Sequence, residues 1–225
     1  MIARSANHAN VSALWATADV RRRRAAYGDF STMNGRWNLS TSETLSKRLE
    51  GNPEEWEQYH TLYREARRSW TVVPYEEMIR WAQEREGLVI GDFGCGEALF
   101  SAAVSDRHTV HNLDHVAINE TVLAGDMAHT PIEDESLDSA IFSLSLMGAN
   151  FSDYLREAYR TLKLDGLLHI WEATSRFDDP VRFARDLAKL GFKAFPPEAR
   201  GPFTYIEAKK TARKPVEEAV LRFRQ

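Results

Sequence analysis

The chain has 225 residues, of which 43% are hydrophobic and 28% are charged, with a formal net charge of −4 and a single cysteine. This length and composition are typical of one soluble α/β domain with an accessory element, and the longest apolar runs are far too short to span a membrane. Because Cys95 is the only cysteine, a disulfide framework and a zinc site built from thiolates are excluded, and a reducing compartment inside the cell is favoured.

Charge is unevenly distributed along the chain. Residues 1–50 hold 8 basic and 4 acidic side chains and residues 176–225 hold 12 and 7, whereas residues 87–175 hold 4 and 14. Basic ends around an acidic centre indicate either that an anionic macromolecule binds at the periphery or that these segments are ordinary solvated surface.

The first 34 residues show little apolar periodicity and contain four consecutive arginines, Arg21 to Arg24. We therefore predict a flexible or docking arm over residues 1–34. An apolar segment of the kind found in secretory signals is missing here, while arginine-rich starts also occur in mitochondrial presequences.

Residues 35–86 are predicted to form an N-terminal helical region. A helix start is indicated by Asn52 as the N-cap, Pro53 in the first turn and Glu55 completing a capping-box-like pattern. Aromatic residues then recur at helical spacing and predict one face packed in a core: Trp56, Tyr59, Tyr63 and Trp70. His60 lies beside this stripe, where its position alone indicates a packed or exposed side chain rather than a ligand contact. A second short helix is predicted over residues 75–84.

From Leu88 onward, predicted strands and helices alternate. Strands are predicted near residues 88–92, 109–113, 121–125, 138–144 and 167–173, and helices near 97–104, 151–162 and 180–190. The alternating segment at 204–210 is predicted to form a strand at the sheet edge. This order predicts an α/β fold with a doubly wound, mostly parallel Rossmann-like sheet over residues 87–225, which binds ligands at the carboxyl ends of its strands.

The most informative motif is the sequence GDFGCGE. Gly94 and Gly96 allow a sharp turn and a close approach of the backbone to a ligand, and Asp114 follows at the end of the next predicted strand, where a nucleotide-type ligand presents its ribose hydroxyls. A dinucleotide fingerprint would need a third glycine, and the acids Asp92 and Glu97 would repel a pyrophosphate. The motif therefore favours S-adenosylmethionine, which carries a sulfonium and an amino group, over NAD or FAD.

Four polar or glycine residues fall at the carboxyl ends of predicted parallel strands: Gly94, Asp114, Asp126 and Ser143. Because such ends meet at one edge of a sheet, these residues predict one shared site.

The stretch from Gly91 to Phe177 resembles the methyltransferase domain of the ribosomal RNA-processing protein eight family, also called nucleomethylin. The segments DMAHTPIEDESLD and SLSLMGAN carry the resemblance, which extends over roughly residues 35–210. It implies a class I methyltransferase fold and an enzyme that uses S-adenosylmethionine to methylate N1 of an adenine in large-subunit ribosomal RNA. Eukaryotic members carry a long basic extension, whereas about thirty-five residues precede the resembling region in the given sequence, and the usual LKPGG turn reads LKLDG here.

The resemblance also implies a set of cofactor contacts, which map onto His60, Gly94, Asp114, Asp126, Met127 and Ser143. Asp114 would take the ribose hydroxyls, and Asp126 and Met127 would flank the cofactor adenine. His60 would contact the methionine end of the cofactor. Ser143 stands where the family often has cysteine, and either side chain is small.

For the acceptor pocket, our hypothesis is that Asn150, Glu172 and Arg176 line it and provide the catalytic groups. Asn150 could equally serve as the cap of the helix predicted over 151–162. Arg176, Lys209, Lys210 and Arg213 are candidate phosphate contacts.

The predicted activity is formation of N1-methyladenosine in ribosomal RNA, without a membrane or metal partner. Two alternatives stay open: a small-molecule methyltransferase, which an aromatic stripe facing the site would favour, and a non-catalytic S-adenosylmethionine-binding interaction module. The expected compartment is the nucleolus for a eukaryotic protein and the cytoplasm for a prokaryotic one, with the mitochondrion as a further location.

Overall fold

In this computed structural model, residues 20–224 are described, and five α-helices precede the first strand within that range. They are α1 (Val20–Tyr27), α2 (Phe30–Leu39), α3 (Ser42–Gly51), α4 (Pro53–Arg67) and α5 (Pro74–Gln83). Side chains cap two of them: Asp29 accepts from the N–H of Thr32 at the start of α2, and Thr41 accepts from the N–H of Thr44 at the start of α3. Pro53 and Pro74 occupy the first turns of α4 and α5, where the missing N–H costs nothing.

The arm predicted over residues 1–34 overlaps these helices. Residues 20–27 form α1, residues 28 and 29 connect it to α2, and residues 30–34 are the first five residues of α2, where Met33 is fully buried. The remaining part of the prediction, residues 1–19, lies outside the described residues.

The predicted capping box at residues 52–55 is wrong, although α4 does begin there. The side chain of Asn52 makes no cap bond; its Oδ1 accepts from the hydroxyl of Tyr27 at 3.0 Å. The carboxylate of Glu55 is fully buried and accepts from Trp37 Nε1 at 3.0 Å and from two arginines. Glu55 therefore joins three helices rather than closing the first turn of its own.

The remaining elements build one sheet with helices between its strands. They are β1 (Val89–Phe93), α6 (Leu99–Val104), β2 (Thr109–Asp114), β3 (Val122–Ala124), β4 (Leu137–Ser143), α7 (Phe151–Thr161), β5 (Leu162–Ala173), α8 (Pro180–Asp186), β6 (Phe192–Ala194), β7 (Glu198–Arg200) and β8 (Phe203–Lys210), with 3₁₀ turns at Thr174–Arg176 and Leu187–Leu190. The strand order is β3-β2-β1-β4-β5-β8-β6, and β7 pairs with β8.

Strands β1 to β5 are parallel, and β8 runs antiparallel to β5, β6 and β7. The predicted α/β fold with a doubly wound, mostly parallel sheet is thus confirmed. The predicted edge position of residues 204–210 is wrong, because the short strands β6 and β7 pair with the outer side of β8.

The sheet is covered on both faces. One face packs against α7 and α8 through residues such as Phe142 and Leu155, and the other packs against α5 and α6 through Met78, Ile90 and Val104. No helix among residues 20–224 is long and apolar enough to cross a membrane.

A third, smaller core lies within helices α2, α3 and α4, which we call the cap (residues 30–67). Its buried members are Met33, Trp37, Leu45, Leu49, Trp56 and Tyr59. Val116, Ile118 and Met147 pack against this core, and they follow β2 and β4 in the chain. The cap therefore sits over the carboxyl ends of the sheet, where a doubly wound fold binds its ligand.

Candidate active site

The glycine turn after β1 is held against β2 by its backbone. The N–H of Gly94 donates to the carbonyl of Leu113 at 2.8 Å. Gly94 has a φ of 80° and Gly96 a φ of 55°, which is the left-handed region. A Cβ at Gly94 would overlap Ser145, and one at Gly96 would lie 2.6 Å from Cε1 of His60. Both positions therefore need glycine, for backbone conformation and for space.

A cavity of about 860 Å³, counted with the space that opens to solvent, lies between this turn and the cap. The sheet side contributes Asp92, Gly94, Gly96, Asp114, Met127 and Ser143 to its wall. The cap side contributes Trp37, Trp56, Tyr59, His60, Tyr63 and Arg67. A mostly apolar cavity with a few converging polar groups is typical of a cofactor site.

Asp114, at the end of β2, connects the turn to the cap. Its Oδ2 accepts from the N–H of Gly96 at 2.9 Å, and its Oδ1 accepts from Nε1 of Trp56 at 2.8 Å. The side chain is buried but lines the cavity, so the remaining lone pairs of the carboxylate are available to hydroxyl groups of a ligand. The partnership with Trp56 is not visible in the sequence, where Trp56 reads as a core residue.

Asp92, at the end of β1, is a second buried carboxylate in the same wall. Burial, and then the nearby negative charge of Asp114, raise its pKa to about 7. A cationic group of a ligand would favour the ionised form of Asp92 and bind to it. The cavity therefore has a place for positive charge beside the glycine turn.

Three buried polar atoms in the cavity wall have no hydrogen-bond partner among the described residues. They are Nδ1 of His60, Nδ1 of His115 and Oγ of Ser143. His60 also stacks on Trp56, with ring centroids 3.9 Å apart, and burial lowers its pKa, so the imidazole is neutral. Because buried polar atoms in proteins are ordinarily satisfied, these three indicate a ligand with polar edges.

At the β3 side of the cavity, the two residues predicted to flank the cofactor adenine are placed differently. Met127 is buried and lines the cavity close to Gly94. Asp126 is not among the lining residues, and its Oδ1 accepts from the N–H of Ala128 at 2.9 Å. Met127 alone is therefore in contact with the space that a ligand would fill.

Glu172 and Arg176, predicted to be catalytic, hold the loop after β4 instead of lining the cavity. Oε1 of Glu172 accepts from the N–H of Leu146 at 3.0 Å, and Arg176 donates to the carbonyl of the same residue at 3.0 Å. The two side chains also pair with each other at 2.8 Å. Ser145 and Met147, the neighbours of Leu146 in the chain, line the cavity. Glu172 and Arg176 therefore position this part of the cavity wall by holding Leu146, without lining the cavity themselves.

Asn150 likewise lies away from the cavity and connects the cap to the sheet. Its Oδ1 accepts from the N–H of Ser42 at 2.8 Å, and its Nδ2 donates to Oγ of Ser42 at 3.0 Å. It occupies the N-cap position of α7 but makes no side-chain cap bond to the helix backbone. Its side chain fixes the start of α3, and it is not among the residues that line the cavity.

The four candidate phosphate contacts are not grouped at the cavity. Lys210 is buried and donates to the carbonyl of Leu162 at 2.6 Å, and Arg176 is held by Glu172. Lys209 pairs with Asp165 at 2.9 Å on the surface. Arg213 is exposed, so Lys209 and Arg213 are accessible to an anion while Lys210 and Arg176 are not.

The aromatic stripe of α4 belongs to a core, as its spacing predicts, but it also forms a wall of the cavity. Trp56 and Tyr59 are buried in the core of the cap and line the cavity as well. Tyr63 and His60 extend the same wall. Sequence reasoning missed Trp37, from α2, because α2 shows no apolar stripe that would mark a buried face.

S-adenosylmethionine fits these residues. Asp114 would take the ribose hydroxyls, the glycine turn would let the chain of the ligand pass close to the backbone, and Asp92 would face its cationic groups. His60 and Ser143 would satisfy their unpartnered atoms on the same ligand.

Comparison with known proteins agrees with this geometry. The model of a family described as hypothetical methyltransferase matches residues 17–223. An Arabidopsis thaliana protein named Ribosomal RNA-processing protein 8 is 35% identical over 181 residues, which cover 77% of this chain and 62% of that protein. A Schizosaccharomyces pombe protein named 25S rRNA (adenine(645)-N(1))-methyltransferase is 36% identical over 196 residues, covering 81% of this chain and 62% of that protein. The chain thus spans about three-fifths of the length of these relatives.

The fold resembles that of solved methyltransferases. A crystal structure of the Burkholderia thailandensis 1,6-didemethyltoxoflavin-N1-methyltransferase, with bound S-adenosylhomocysteine, aligns with a TM-score of 0.52 at 17% identity, over 69% of this chain and 87% of that one. At this identity the likeness shows the fold alone, while the predicted resemblance to ribosomal RNA-processing proteins is confirmed by the relatives above. The chain therefore belongs to the hypothetical methyltransferase family and has the fold of a class I methyltransferase that uses S-adenosylmethionine.

Proposed function

We propose that the chain transfers the methyl group of S-adenosylmethionine to N1 of an unpaired adenine in ribosomal RNA. The observation that carries this proposal is the 36% identity, over 81% of the chain, to the Schizosaccharomyces pombe protein named for this reaction on 25S ribosomal RNA. The cavity supports it, because its aromatic wall offers flat surfaces for a nucleobase. The reaction would take place where ribosomal RNA is processed.

S-adenosylmethionine supplies a methyl group that is already activated by the attached sulfonium. The residues of the chain therefore have to align the two reactants and exclude water. Gly94, Gly96 and Asp114 would hold the donor, and the loop that Glu172 and Arg176 fix would form the adjoining wall. A general base is not needed before the transfer, because N1 of neutral adenine has a free lone pair.

The acceptor base would lie against the aromatic residues of the cap. Trp37 and Tyr59 stack on each other with centroids 4.3 Å apart, and both line the cavity. Burial raises the pKa of Tyr59, so its hydroxyl stays neutral and donates to Asn34 at 3.1 Å. Methylation at N1 leaves a positive charge on the base, which aromatic faces stabilise. Since N1 lies on the Watson–Crick edge, the adenine must be unpaired or flipped.

The test is a methyl-transfer assay on total ribosomal RNA and transfer RNA, followed by mass spectrometry of the nucleosides. We expect N1-methyladenosine in ribosomal RNA with the wild-type protein. Asp114→Asn should bind S-adenosylhomocysteine roughly 10- to 100-fold more weakly, because it loses charge-assisted hydrogen bonds to the ribose, and should lose activity at limiting cofactor. Asp106→Asn is the matched control, since Asp106 is exposed.

Failure of the wild-type protein to methylate any RNA while it binds S-adenosylhomocysteine would contradict the proposed acceptor. A second candidate, a small-molecule methyltransferase, is then favoured by one observation: Trp56, Tyr59 and Tyr63 face the cavity. Label that appears in small metabolites and not in RNA would support it.

A further inference from the structure

One face of α4 runs along the cavity from the ribose position past the glycine turn. Trp56, His60, Tyr63 and Arg67 are spaced four, three and four residues apart, which places them on one side of a helix, and all four line the cavity. Trp56 bonds to Asp114, and His60 packs against Gly96. The next two positions, Tyr63 and Arg67, therefore lie beyond the turn, on the far side from the ribose position.

Arg67 is the only residue with a permanent positive charge among the described residues that line this cavity. The other charged lining residues, Asp92, Glu97 and Asp114, are all acidic. Glu97 is paired with Arg64, which also pairs with Glu57 at 3.0 Å. Glu97 thus has its own ion-pair partner, Asp92 and Asp114 face the cavity, and none of the three forms an ion pair with Arg67.

The guanidinium of Arg67 is positioned by two aromatic rings. It lies 5.6 Å from the ring centroid of Tyr63 and 5.5 Å from that of Tyr75. Within residues 20–224 no carboxylate lies within 4.0 Å of it. Helical side chains lean toward the N-terminus of their helix, which directs this side chain back along α4 over Tyr63. Its five N–H donors are therefore free for an anionic group at this end of the cavity.

We propose that Arg67 binds the α-carboxylate in the methionine part of S-adenosylmethionine, an assignment that rests on the proposed function for the identity of the ligand. The cofactor is a zwitterion at this end, with an ammonium group and a carboxylate on one carbon. Asp92 attracts the ammonium group but would repel the carboxylate, so a wall of acids alone would bind the amino-acid end poorly. Arg67 supplies the missing positive charge, and a guanidinium matches a carboxylate in a two-pronged geometry.

The test compares two ligands that differ in this one group. Dissociation constants are measured by titration calorimetry for S-adenosylmethionine and for decarboxylated S-adenosylmethionine, which keeps the sulfonium and the amine. The wild-type protein should bind the complete ligand roughly 10- to 100-fold more tightly. Arg67→Met should bind both ligands equally, with the affinity that the wild-type protein has for the decarboxylated one, and Arg67→Lys should keep part of the difference. Arg68→Met, at the exposed neighbouring position, should keep all of it.

Each other outcome overturns the role of Arg67. A full preference for the complete ligand in Arg67→Met would place the carboxylate on another group, and an equal loss of affinity for both ligands would mean that Arg67 only supports the fold. A wild-type protein that binds both ligands equally overturns this role while leaving the cofactor in place. A wild-type protein that binds neither ligand overturns the cofactor itself, so the two failures are distinguishable.

Discussion

At the scale of single residues, two carboxylates at neighbouring strand ends have different surroundings. Asp114 accepts from Trp56 and from the backbone of Gly96, which stabilise its negative charge. Asp92 has the charge of Asp114 nearby, and burial together with that charge raises its pKa to about 7. The two acids therefore differ: the carboxylate of Asp114 has two hydrogen-bond donors, whereas the carboxyl group of Asp92 is only about half ionised at neutral pH.

Asp92 makes the unliganded protein less stable as the pH rises. Its pKa in the folded state is about 7 and its ordinary value is 3.8, so the fold prefers the protonated form. This contribution to stability is complete below about pH 4 and is lost between about pH 4 and 7. Asp92→Asn imitates the protonated form at every pH. The free energy of unfolding of the variant should therefore exceed that of the wild-type protein by an amount that grows between about pH 4 and 7, to at most about 4 kcal/mol at pH 8.

The same substitution should have the opposite effect on ligand binding. The affinity of the wild-type protein for S-adenosylhomocysteine should rise as the pH increases through about 7, because ionised Asp92 attracts the ammonium group. In Asp92→Asn this rise should be absent. Thermal unfolding without ligand and calorimetry with ligand, each at pH 5 and pH 8, measure the two effects. Equal behaviour of Asp92→Asn and the wild-type protein at both pH values would show that Asp92 does not titrate in this range.

At the scale of elements, the cap is held together by the buried carboxylate of Glu55 in α4. It accepts from Arg36 and Trp37 in α2, at 2.6 and 3.0 Å, and from Arg48 in α3 at 2.7 Å. Burial alone would raise the pKa of Glu55, but the bonds from these three partners outweigh it, and the pKa is lowered. The three helices of the cap therefore meet at one charge that is ionised at neutral pH.

Glu55→Gln should loosen the cap without unfolding the sheet. The loss of this charge leaves two arginines without their anion, and because those side chains are 30% and 43% exposed and can turn to water, we expect a cost of about 2–4 kcal/mol. Hydrogen exchange should speed up in residues 30–51 and stay unchanged in β4 and β5. Glu54→Gln is the control, because Glu54 makes an exposed pair with Arg22 at 3.6 Å. Equal effects of the two substitutions would contradict the role of Glu55.

The loop after β4 depends on the C-terminal segment as well as on the sheet. Arg176 lies 4.0 Å from the ring centroid of Phe223, and its carbonyl accepts from the N–H of Arg224 at 2.7 Å. Phe223 in turn packs against Phe151 of α7 and Phe183 of α8. Phe223 and Arg224 therefore hold Arg176 in place, and Arg176 in turn holds Leu146 in the loop that forms part of the cavity wall.

Arg176→Met should impair methyl transfer more than cofactor binding. The wall beside the acceptor would shift, and a misplacement of about 1 Å costs up to about 100-fold in rate. We expect the turnover rate to fall roughly 10- to 100-fold while the affinity for S-adenosylhomocysteine changes little. Arg182→Met, at a side chain that is 77% exposed, should change neither. A proportional loss of cofactor affinity would show that Arg176 acts on the fold as a whole.

At the scale of the whole molecule, the sheet could be predicted from sequence better than the cap. Strands β1 and β2 and the glycine turn follow from local signals, namely apolar runs and residues that tolerate left-handed backbone. Asp114 could be assigned to the site for the same reason. Glu55, Arg176 and Asn150 could not be assigned their roles, because these roles depend on contacts with Arg48, Leu146 and Ser42, which lie 7, 30 and 108 residues away in the chain. Local patterns predict elements, whereas these contacts depend on how the elements pack.

The contact between Ser42 and Asn150 has a consequence for the order in which the molecule is made. The two residues are 108 positions apart, and the small core of the cap is completed by Val116, Ile118 and Met147. A ribosome releases the cap helices first, yet the surface on which they pack emerges only after residue 150 has been synthesised. The cap helices can therefore complete their packing, and close their side of the cofactor pocket, only after residue 150 has emerged from the ribosome.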